Sequence, residues 1–167
     1  MLTEKQLVRL NDQIHAEASV SRLYLAISHW ASSKGLSGVA SFFKNHHELE
    51  EGHMHKLEEY IMATGGRVKV RAIEAPPEDY KSVAEVLKMA LDKEVEVSEK
   101  INEMVDLFFQ EKNFSTFNFL QWFVTEQHEE EHLFRSLIEK AELIGETERG
   151  IFWLDKELGK VGASLTN

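Results

Sequence analysis

The chain has 167 residues and no cysteine, and its 19 basic and 29 acidic residues give a net charge of −10. This length suits one domain with its own core, and the lack of cysteine excludes disulfides, thiolate nucleophiles and iron–sulfur clusters. The acidic balance argues against nucleic acid as a partner and favours cations. We find no membrane-spanning apolar run and no secretory leader, so we expect a cytoplasmic protein.

Glycines divide the chain into segments that are rich in helix-forming residues. Eight of the nine glycines lie in four pairs, and a glycine just after a helix commonly ends it. Strand patterns are almost absent between these pairs, so the sequence predicts an all-α protein. The expected helices cover about 4–34, 37–64, 82–112, 115–144 and 147–158.

The connections between these segments predict their arrangement. The turns near residues 35 and 113 are short, so each joins antiparallel neighbours. A helix of about 28 residues is about 42 Å long, and roughly 17 extended residues between the second and third helices reach about 55 Å. We therefore expect a single domain over 1–167. It is a four-helix bundle with one long crossover over 4–144 and a short fifth helix over 147–158.

Each long helix carries an apolar face on which residues recur at alternating spacings of three and four. A glutamate interrupts every face near its middle. The four faces in chain order are Leu10, Ile14, Glu17, Ser21, Tyr24 and Ser28; Val39, Phe42, His46, Glu50, His53 and Leu57; Val83, Leu87, Ala90, Glu94, Val97, Ile101, Met104 and Phe108; and Phe119, Phe123, Glu126, Glu130, Leu133 and Leu137.

Glutamates on all four apolar faces indicate a buried cation. A buried carboxylate is costly unless it is paired, protonated or bound to metal. One such glutamate would be explained by a helix turned slightly out of phase, but four at one level converge and repel one another. No lysine or arginine lies on these faces, so the sequence favours a metal ion.

The spacing of ligand types indicates which metal. Glu50 and His53 are three residues apart and share one face of the second helix. The stretch of the fourth helix that would match it reads Gln127-x-x-Glu130 and Glu126-x-x-Glu129, so one imidazole stands among oxygen ligands, which favours iron or manganese with zinc as a competitor. The candidate ligands on the other helices are Glu17, Glu94, Glu126, Gln127, Glu129 and Glu130. Carboxylates from two helices with a Glu-x-x-His pair are typical of two-metal sites in bundles.

The chain resembles the non-haem ferritins of bacteria and archaea over essentially its whole length. The most specific matching stretch is 116–131, which reads TFNFLQWFVTEQHEEE. Further matches are Glu17 with Tyr24, the segment 50–54 and the segment 155–158. The resemblance implies a ferritin-like fold, a ferroxidase that oxidises Fe(II) with O₂ or peroxide, and a homo-oligomeric shell of twenty-four subunits that stores ferric mineral.

The resemblance also implies a ligand set for two irons per chain. One iron is expected at Glu17, Glu50 and His53. The second is expected at Glu50 as the bridge and at Glu94 and Glu130, with Gln127 close by. Tyr24 follows Glu17 on the same face, and two readings stay open for it: a core aromatic with a hydrogen-bonded hydroxyl, or a residue that contacts the iron ligands or donates an electron to the iron.

Two departures from related ferritins concern further cofactors. Bacterial members often have a third iron site that uses residues matching Glu126, Glu129 and Glu130 and a glutamate just before the bridging one. This chain has Leu49 at that last position, so we expect a weakened third site. Haem-containing members have a histidine where Glu130 stands and a methionine beside the second-helix pair. Here Glu51 and Gly52 occupy that place, so we expect no haem.

Other readings of the sequence remain open at this stage. A di-iron oxidoreductase or peroxidase without storage has the same ligands, and a DNA-protecting shell is a third class, although its iron ligands lie between subunits. Trp122 is expected to serve packing or an interface, with electron donation as the alternative. His46 is expected as a buried structural residue, and Gly52 as a site of close helix approach. The histidines expected on exposed or inner surfaces are His47, His55, His128 and His132.

Overall fold

A computed structural model describes residues 2–145 and 147–164 of the chain; Met1, Glu146 and 165–167 lie outside the described residues. The helices are α1 (Glu4–Ser33), α2 (Ser37–Ala63), α3 (Val83–Gln110), α4 (Phe114–Ile144) and α5 (Glu148–Ser164). No strand occurs among the described residues, and the all-α prediction is confirmed. Within the same part of the chain, no helix is long and apolar enough to cross a membrane.

Side-chain caps explain where three of the helices begin. Thr3 and Gln6 form a reciprocal capping box at the start of α1. The side chains of Ser82 and Asn113 accept backbone N–H groups of α3 and α4 respectively. The start of α2 has no side-chain cap of its own, and Asp155 of α5 accepts the N–H of Val39 at 2.9 Å instead.

Hydrogen bonds between helices establish the topology of the bundle. The hydroxyl of Ser28 donates to the backbone oxygen of Ala40, and that of Ser21 donates to the backbone oxygen of His47, so α1 and α2 run antiparallel. In the polar contacts between α1 and α3 and between α2 and α4, residue numbers likewise rise along one helix as they fall along the other, so these pairs are antiparallel too. Consequently α2 and α3 are parallel, as expected for a crossover between residues 64 and 82 that runs the length of the bundle.

Asn11 of α1 fastens the first part of the crossover. Its amide nitrogen donates to the backbone oxygen of Arg67 at 3.2 Å, and its oxygen accepts the N–H of Lys69 at 2.6 Å. The side chain of Asn11 is buried, so these bonds form away from competing water. The crossover is therefore held against α1 at the end where α2 finishes.

The core confirms the predicted apolar faces of α1, α2 and α3, all of whose residues are buried. The predicted face of α4 is partly wrong. Phe119, Glu126 and Leu133 are only half-buried, whereas Gln127 and Phe134 on the adjacent side of the helix are fully covered. The predicted and the observed buried faces of α4 share Phe123, Glu130 and Leu137. Tertiary packing determines the rest of the observed face, because Gln127 hydrogen bonds to α3 and Phe134 packs against aromatic rings of α1 and α2.

The fifth helix is longer than expected, because its glycines do not end it. α5 continues through Gly159 and Gly162 to Ser164. These glycines let α5 lie directly on α2: a Cβ on Gly159 would stand 3.1 Å from Cα of Gly38, and one on Gly162 would stand 3.0 Å from Cα of Phe42. They are sites of close helix contact and not stop signals.

The expectation for Gly52 is wrong in the described chain. A Cβ placed on Gly52 would meet no atom within 4 Å, so no helix approaches it. The glycine is exposed in the middle of α2. Nothing in the described chain explains why glycine stands there.

Candidate metal centre

Three side chains from two helices converge in the middle of the bundle. Glu17 of α1 and Glu50 and His53 of α2 each offer a ligand atom, and these atoms all lie within 4.8 Å of one another. None of the three residues is more than 4 % exposed. Such a group matches the oxygen and imidazole donors that bind iron, manganese or zinc.

Hydrogen bonds orient both carboxylates of this group. Nδ1 of His53 lies 3.0 Å from Oε2 of Glu50, which fixes the two residues relative to each other within one turn of α2. The amide of Gln13, one turn before Glu17 on α1, donates to Oε1 of Glu17 at 2.7 Å. Each carboxylate therefore has one oxygen held and one oxygen left for another partner.

Glu94 of α3 is completely buried beside this group but is engaged by two neutral donors. The hydroxyl of Tyr24 donates to its Oε1 in a short hydrogen bond. The amide of Gln127 donates to its Oε2 at 2.9 Å and to its backbone oxygen at 3.2 Å. Glu94 therefore lies outside the 4.8 Å group formed by the other three residues. Tyr24 is a core aromatic whose hydroxyl contacts a candidate ligand, and electron donation by it stays a prediction.

Glu130 of α4 completes the ring of buried carboxylates and meets His46 of α2. Oε2 of Glu130 lies 3.3 Å from Nε2 of His46, although neither atom has a well-formed hydrogen bond. Nδ1 of His46 lies 3.0 Å from the backbone oxygen of Phe42 and donates to it, so this ring nitrogen carries a proton. His46 is buried as expected, and it also contacts a candidate ligand.

Unpartnered oxygens identify where a cation fits. Oε2 of Glu17, Oε1 of Glu50 and Oε2 of Glu130 are buried with no hydrogen-bond partner among the described residues. Buried polar atoms are nearly always satisfied, and an exception calls for an explanation such as a missing ion. Carboxylate oxygens from α1, α2 and α4 with an imidazole beside them are donors that suit one or two divalent cations.

The protonation of these groups supports the same conclusion. Burial, followed by repulsion from Glu50, raises the pKa of Glu17 to about 8. Burial, followed by repulsion from Glu130, raises the pKa of Glu94 to about 7. Burial and the neighbouring Glu94 also hold the pKa of Glu50 well above its ordinary value. Without a cation the centre therefore retains protons at neutral pH, and a bound cation displaces them.

The side of the centre between α2 and α4, which we call the α2–α4 side, is acidic and partly open. Glu126 is half-buried there, and its Oε1 lies 3.9 Å from Nε2 of His53. Glu129 is exposed, so neither residue belongs to the buried group. The ring of Trp122 lies edge-on to His53 with 5.5 Å between centroids, beneath the ammonium of Lys56.

Some polar residues of the centre were absent from the sequence-based site. Gln13 was missed, although its position four residues before Glu17 places both on one helical face. His47 was expected to be exposed, but it is buried with its Nδ1 2.7 Å from the hydroxyl of Ser21. A histidine beside a serine of the neighbouring helix can be recognised only once the two helices are placed together. The other three histidines expected at the surface are exposed: His55, His128 and His132.

Comparisons with known proteins agree with this architecture. The family model described as "Ferritin-like domain" matches residues 7–144. The chain is 45% identical over 161 residues to a probable bacterial non-heme ferritin-like protein of Haemophilus influenzae, covering 96% of this chain and 98% of that protein. It is 37% identical over 158 residues to the bacterial non-heme ferritin of Escherichia coli O6:H1, covering 95% of this chain and 96% of that protein.

A solved structure agrees as well. An open-pore ferritin from the hyperthermophilic archaeon Archaeoglobus fulgidus superimposes with a TM-score of 0.92 and 39% identity, covering 95% of this chain and 98% of that chain. A helical bundle with a buried carboxylate and imidazole cluster defines the class of ferritin-like metal proteins. The chain belongs to the ferritin family, and its relatives are bacterial non-haem ferritins. The expectations of a ferritin-like fold, iron storage and ferroxidase activity are confirmed at this level.

Proposed function

We propose that the buried group is the ferroxidase centre and that it binds two Fe(II) ions per chain as substrate. Glu17, Glu50 and His53 hold one ion, and Glu50, Glu94 and Glu130 hold the other, with Gln127 beside it. The observation that carries this assignment is the set of three buried carboxylate oxygens without hydrogen-bond partners around His53. Glu94 joins the ligands of the second ion by rotating away from Tyr24 or Gln127, and either of these neutral residues can keep a hydrogen bond to it in the new position.

The donor set explains why iron is oxidised there. Anionic oxygens stabilise Fe(III) more than Fe(II), so they lower the reduction potential of bound iron. Each Fe(II) gives up one electron. One peroxide takes electrons from two Fe(II) ions, its O–O bond breaks, and two protons are taken up as two waters form. One O₂ takes four electrons and four protons to give the same product. Glu50 lies between both ions and keeps them close.

Storage follows if the ferric product leaves the centre for an enclosed space. The acidic α2–α4 side, with Glu126 and Glu129, offers the exit and the first weak binding sites. We infer that these residues with Glu130 form a third, weakened iron site, because Leu49 supplies no ligand. We further propose a homo-oligomeric shell of twenty-four subunits in the cytoplasm, where reducing conditions keep iron as Fe(II), and a centre without haem.

The replacement Glu50→Ala tests both the centre and storage in one experiment. Fe(II) in large excess is added in air to the wild type and to the variant, oxidation is followed by absorbance, and the products are separated by gel filtration with iron detection. We expect the variant to lose at least about tenfold of the initial rate, because the bridging ligand is missing. Wild-type iron should elute as soluble Fe(III) with a very large particle.

Glu59→Ala is the matched control, because Glu59 is an exposed glutamate of the same helix. It should oxidise iron at the wild-type rate. An unchanged initial rate in the Glu50 variant would refute the assignment of the centre. If the wild type binds only about two irons per chain on a small oligomer, storage is refuted and a non-storage di-iron oxidoreductase replaces it.

A further inference from the structure

The ligand residues of the candidate centre are buried in the middle of the bundle, so its two substrates need routes to reach them. Fe(II) is a cation, and the acidic α2–α4 side suits it. The opposite side, between α1 and α3, carries a separate cavity of about 280 Å³ that we call the α1–α3 cavity. Its walls come from α1, α3 and the crossover. It is lined by Arg9, Asp12, Gln13, His15, Arg71, Lys100, Glu103 and Met104.

One side chain of the cavity lining contacts the candidate centre. Gln13 lines the cavity and is only 1 % exposed, so it forms the inner end. Its amide donates to Oε1 of Glu17 at 2.7 Å. Met104, which is 2 % exposed, lines the same cavity and belongs to the core face of α3. The cavity therefore leads inward to an atom that touches a proposed iron ligand.

The charges of the α1–α3 cavity make it a poor route for Fe(II). Two ion pairs lie in its walls, Arg9 with Glu103 at 3.2 Å and Arg71 with Asp12 at 2.7 Å. Lys100 is a further cation of the lining, so the lining holds three positive and two negative side chains. This positive excess stands in a chain whose net charge is −10. A divalent cation is repelled there, whereas a neutral molecule is not.

The lining is polar and can form hydrogen bonds with a small oxidant. Besides its charged groups it contains the amide of Gln13, and Nδ1 of His15 is buried without a hydrogen-bond partner. Hydrogen peroxide has both donors and acceptors, so it exchanges water contacts for these groups at little cost. O₂ has no such hydrogen bonds to gain, so a polar lining does not favour it.

We propose that hydrogen peroxide reaches the di-iron centre through the α1–α3 cavity, with Gln13 as the last side chain before Glu17. This inference rests on the proposed function, because it supplies the oxidant to that centre. The chemistry is unchanged: two bound Fe(II) ions each give one electron, the O–O bond of peroxide breaks, and two protons are taken up to form two waters. The iron and the oxidant then enter from opposite sides of the bundle.

Blocking the cavity tests the proposal without touching the centre. His15→Trp fills it from α1, and Arg71→Trp fills it from the crossover, where a change is less able to disturb folding. Val70→Trp is the control, since Val70 is the neighbouring residue and is 94 % exposed. Iron-loaded protein is mixed with hydrogen peroxide without air, and the peroxide concentration that gives half the maximal rate is measured. O₂-driven oxidation is measured separately.

We expect both blocking variants to need at least about fivefold more peroxide, with the maximal rate kept within about twofold. Their anaerobic Fe(II) binding, their O₂-driven rates and the Val70 control should match the wild type. An unchanged peroxide requirement in both variants would overturn the proposal, and so would an equal rise in the O₂ requirement or a loss of Fe(II) binding. Failure of the proposed function is distinguishable, because the wild type itself would then show no rapid oxidation with either oxidant.

Discussion

At the scale of single residues, the centre is built from carboxylates whose burial would be unfavourable in an ordinary core. Glu17 and Glu94 are completely covered, and neither has a lysine or arginine partner. Neutral donors from Gln13, Tyr24 and Gln127 hold one or both oxygens of these groups. Protons meet the cost of burying them when no cation is bound, and in the proposed centre Fe(II) takes the place of those protons.

This exchange predicts how the stability of the iron-free protein depends on pH. In the folded state the pKa of Glu17 is about 8 and that of Glu94 about 7, against 4.5 in the unfolded chain. Protonated carboxylates favour the folded state, so their contribution is complete below pH 4.5 and is lost as pH rises through these higher values. Replacing Glu17 with Gln imitates the protonated form. As pH rises from about 5 to about 9, we expect the free energy of unfolding to fall by on the order of 3 kcal/mol less in Glu17→Gln than in the wild type.

Denaturant unfolding of the iron-free protein at several pH values measures this effect. Glu59→Gln, an exposed replacement on α2, should keep the wild-type dependence on pH. If the Glu17 variant and the wild type lose stability in parallel between about pH 5 and pH 9, the pKa of Glu17 is not raised in the folded state.

Leu49 gives a second prediction at this scale. It is half-buried directly before Glu50, at the position where the resemblance to bacterial ferritins implies a third-site glutamate. We expect Leu49→Glu to add a carboxylate beside Glu126 and Glu129 and to raise anaerobic Fe(II) binding by about one ion per chain. Calorimetric titration of both proteins with Fe(II) measures the stoichiometry. An identical endpoint for the variant and the wild type would show that Leu49 is not what weakens this site.

At the scale of helices, the contact between α2 and α5 depends on residues that leave no room for a side chain. A Cβ on Gly38 would lie 1.8 Å from the backbone oxygen of Asp155, the residue whose side chain also caps α2. Gly38→Ala must therefore push α5 away and weaken that cap. We expect a loss of about 1–3 kcal/mol in the free energy of unfolding.

Gly52→Ala is the matched experiment on the same helix. No atom lies within 4 Å of the Cβ that it would add, and alanine is the better helix former by about 1 kcal/mol. Thermal and denaturant unfolding should therefore show a lower free energy of unfolding for Gly38→Ala and a higher one for Gly52→Ala. A stability loss of similar size at both positions would mean that the α2–α5 contact is not the cause at Gly38.

The register of α4 shows how far helical periodicity can be used. Phe123, Glu130 and Leu137 lie along one line of the helix, and the predicted face placed Phe119, Glu126 and Leu133 beside that line. In the structure Gln127 is turned inward, where Glu94 accepts its amide hydrogen, and Glu126 stays at the edge. The neighbouring helix, and not the periodicity of α4, decides this rotation.

At the scale of the whole molecule, apolar side chains on α5 remain uncovered in the single chain. Phe152 is 57 % exposed and Trp153 is 59 % exposed, and they lie next to each other on a helix whose opposite side packs on α2. Large exposed aromatics on a folded chain commonly mark an interface. A shell of identical subunits would cover them.

The double replacement Phe152→Glu with Trp153→Glu tests this role. We expect normal helix content but a much smaller particle in sedimentation velocity, because added charges repel where subunits meet. Lys160→Glu, an exposed change on the same helix, is the control and should assemble normally. A double variant that still sediments as a full-sized shell would exclude this face of α5 from the subunit contacts.

The sequence by itself determined the number of helices, the long crossover and the glutamates that converge. Those features follow from local rules: glycine placement, segment length and the periodicity of each helix. Only the tertiary structure decided the rotation of α4, the hydrogen bond from Gln13 to Glu17, the capping of α2 by Asp155 and the cavity between α1 and α3. Each of these joins residues far apart in the chain, or depends on how a helix turns against its neighbours. Periodicity defines the apolar line of a helix, but contacts with other helices determine what each side chain on that line meets.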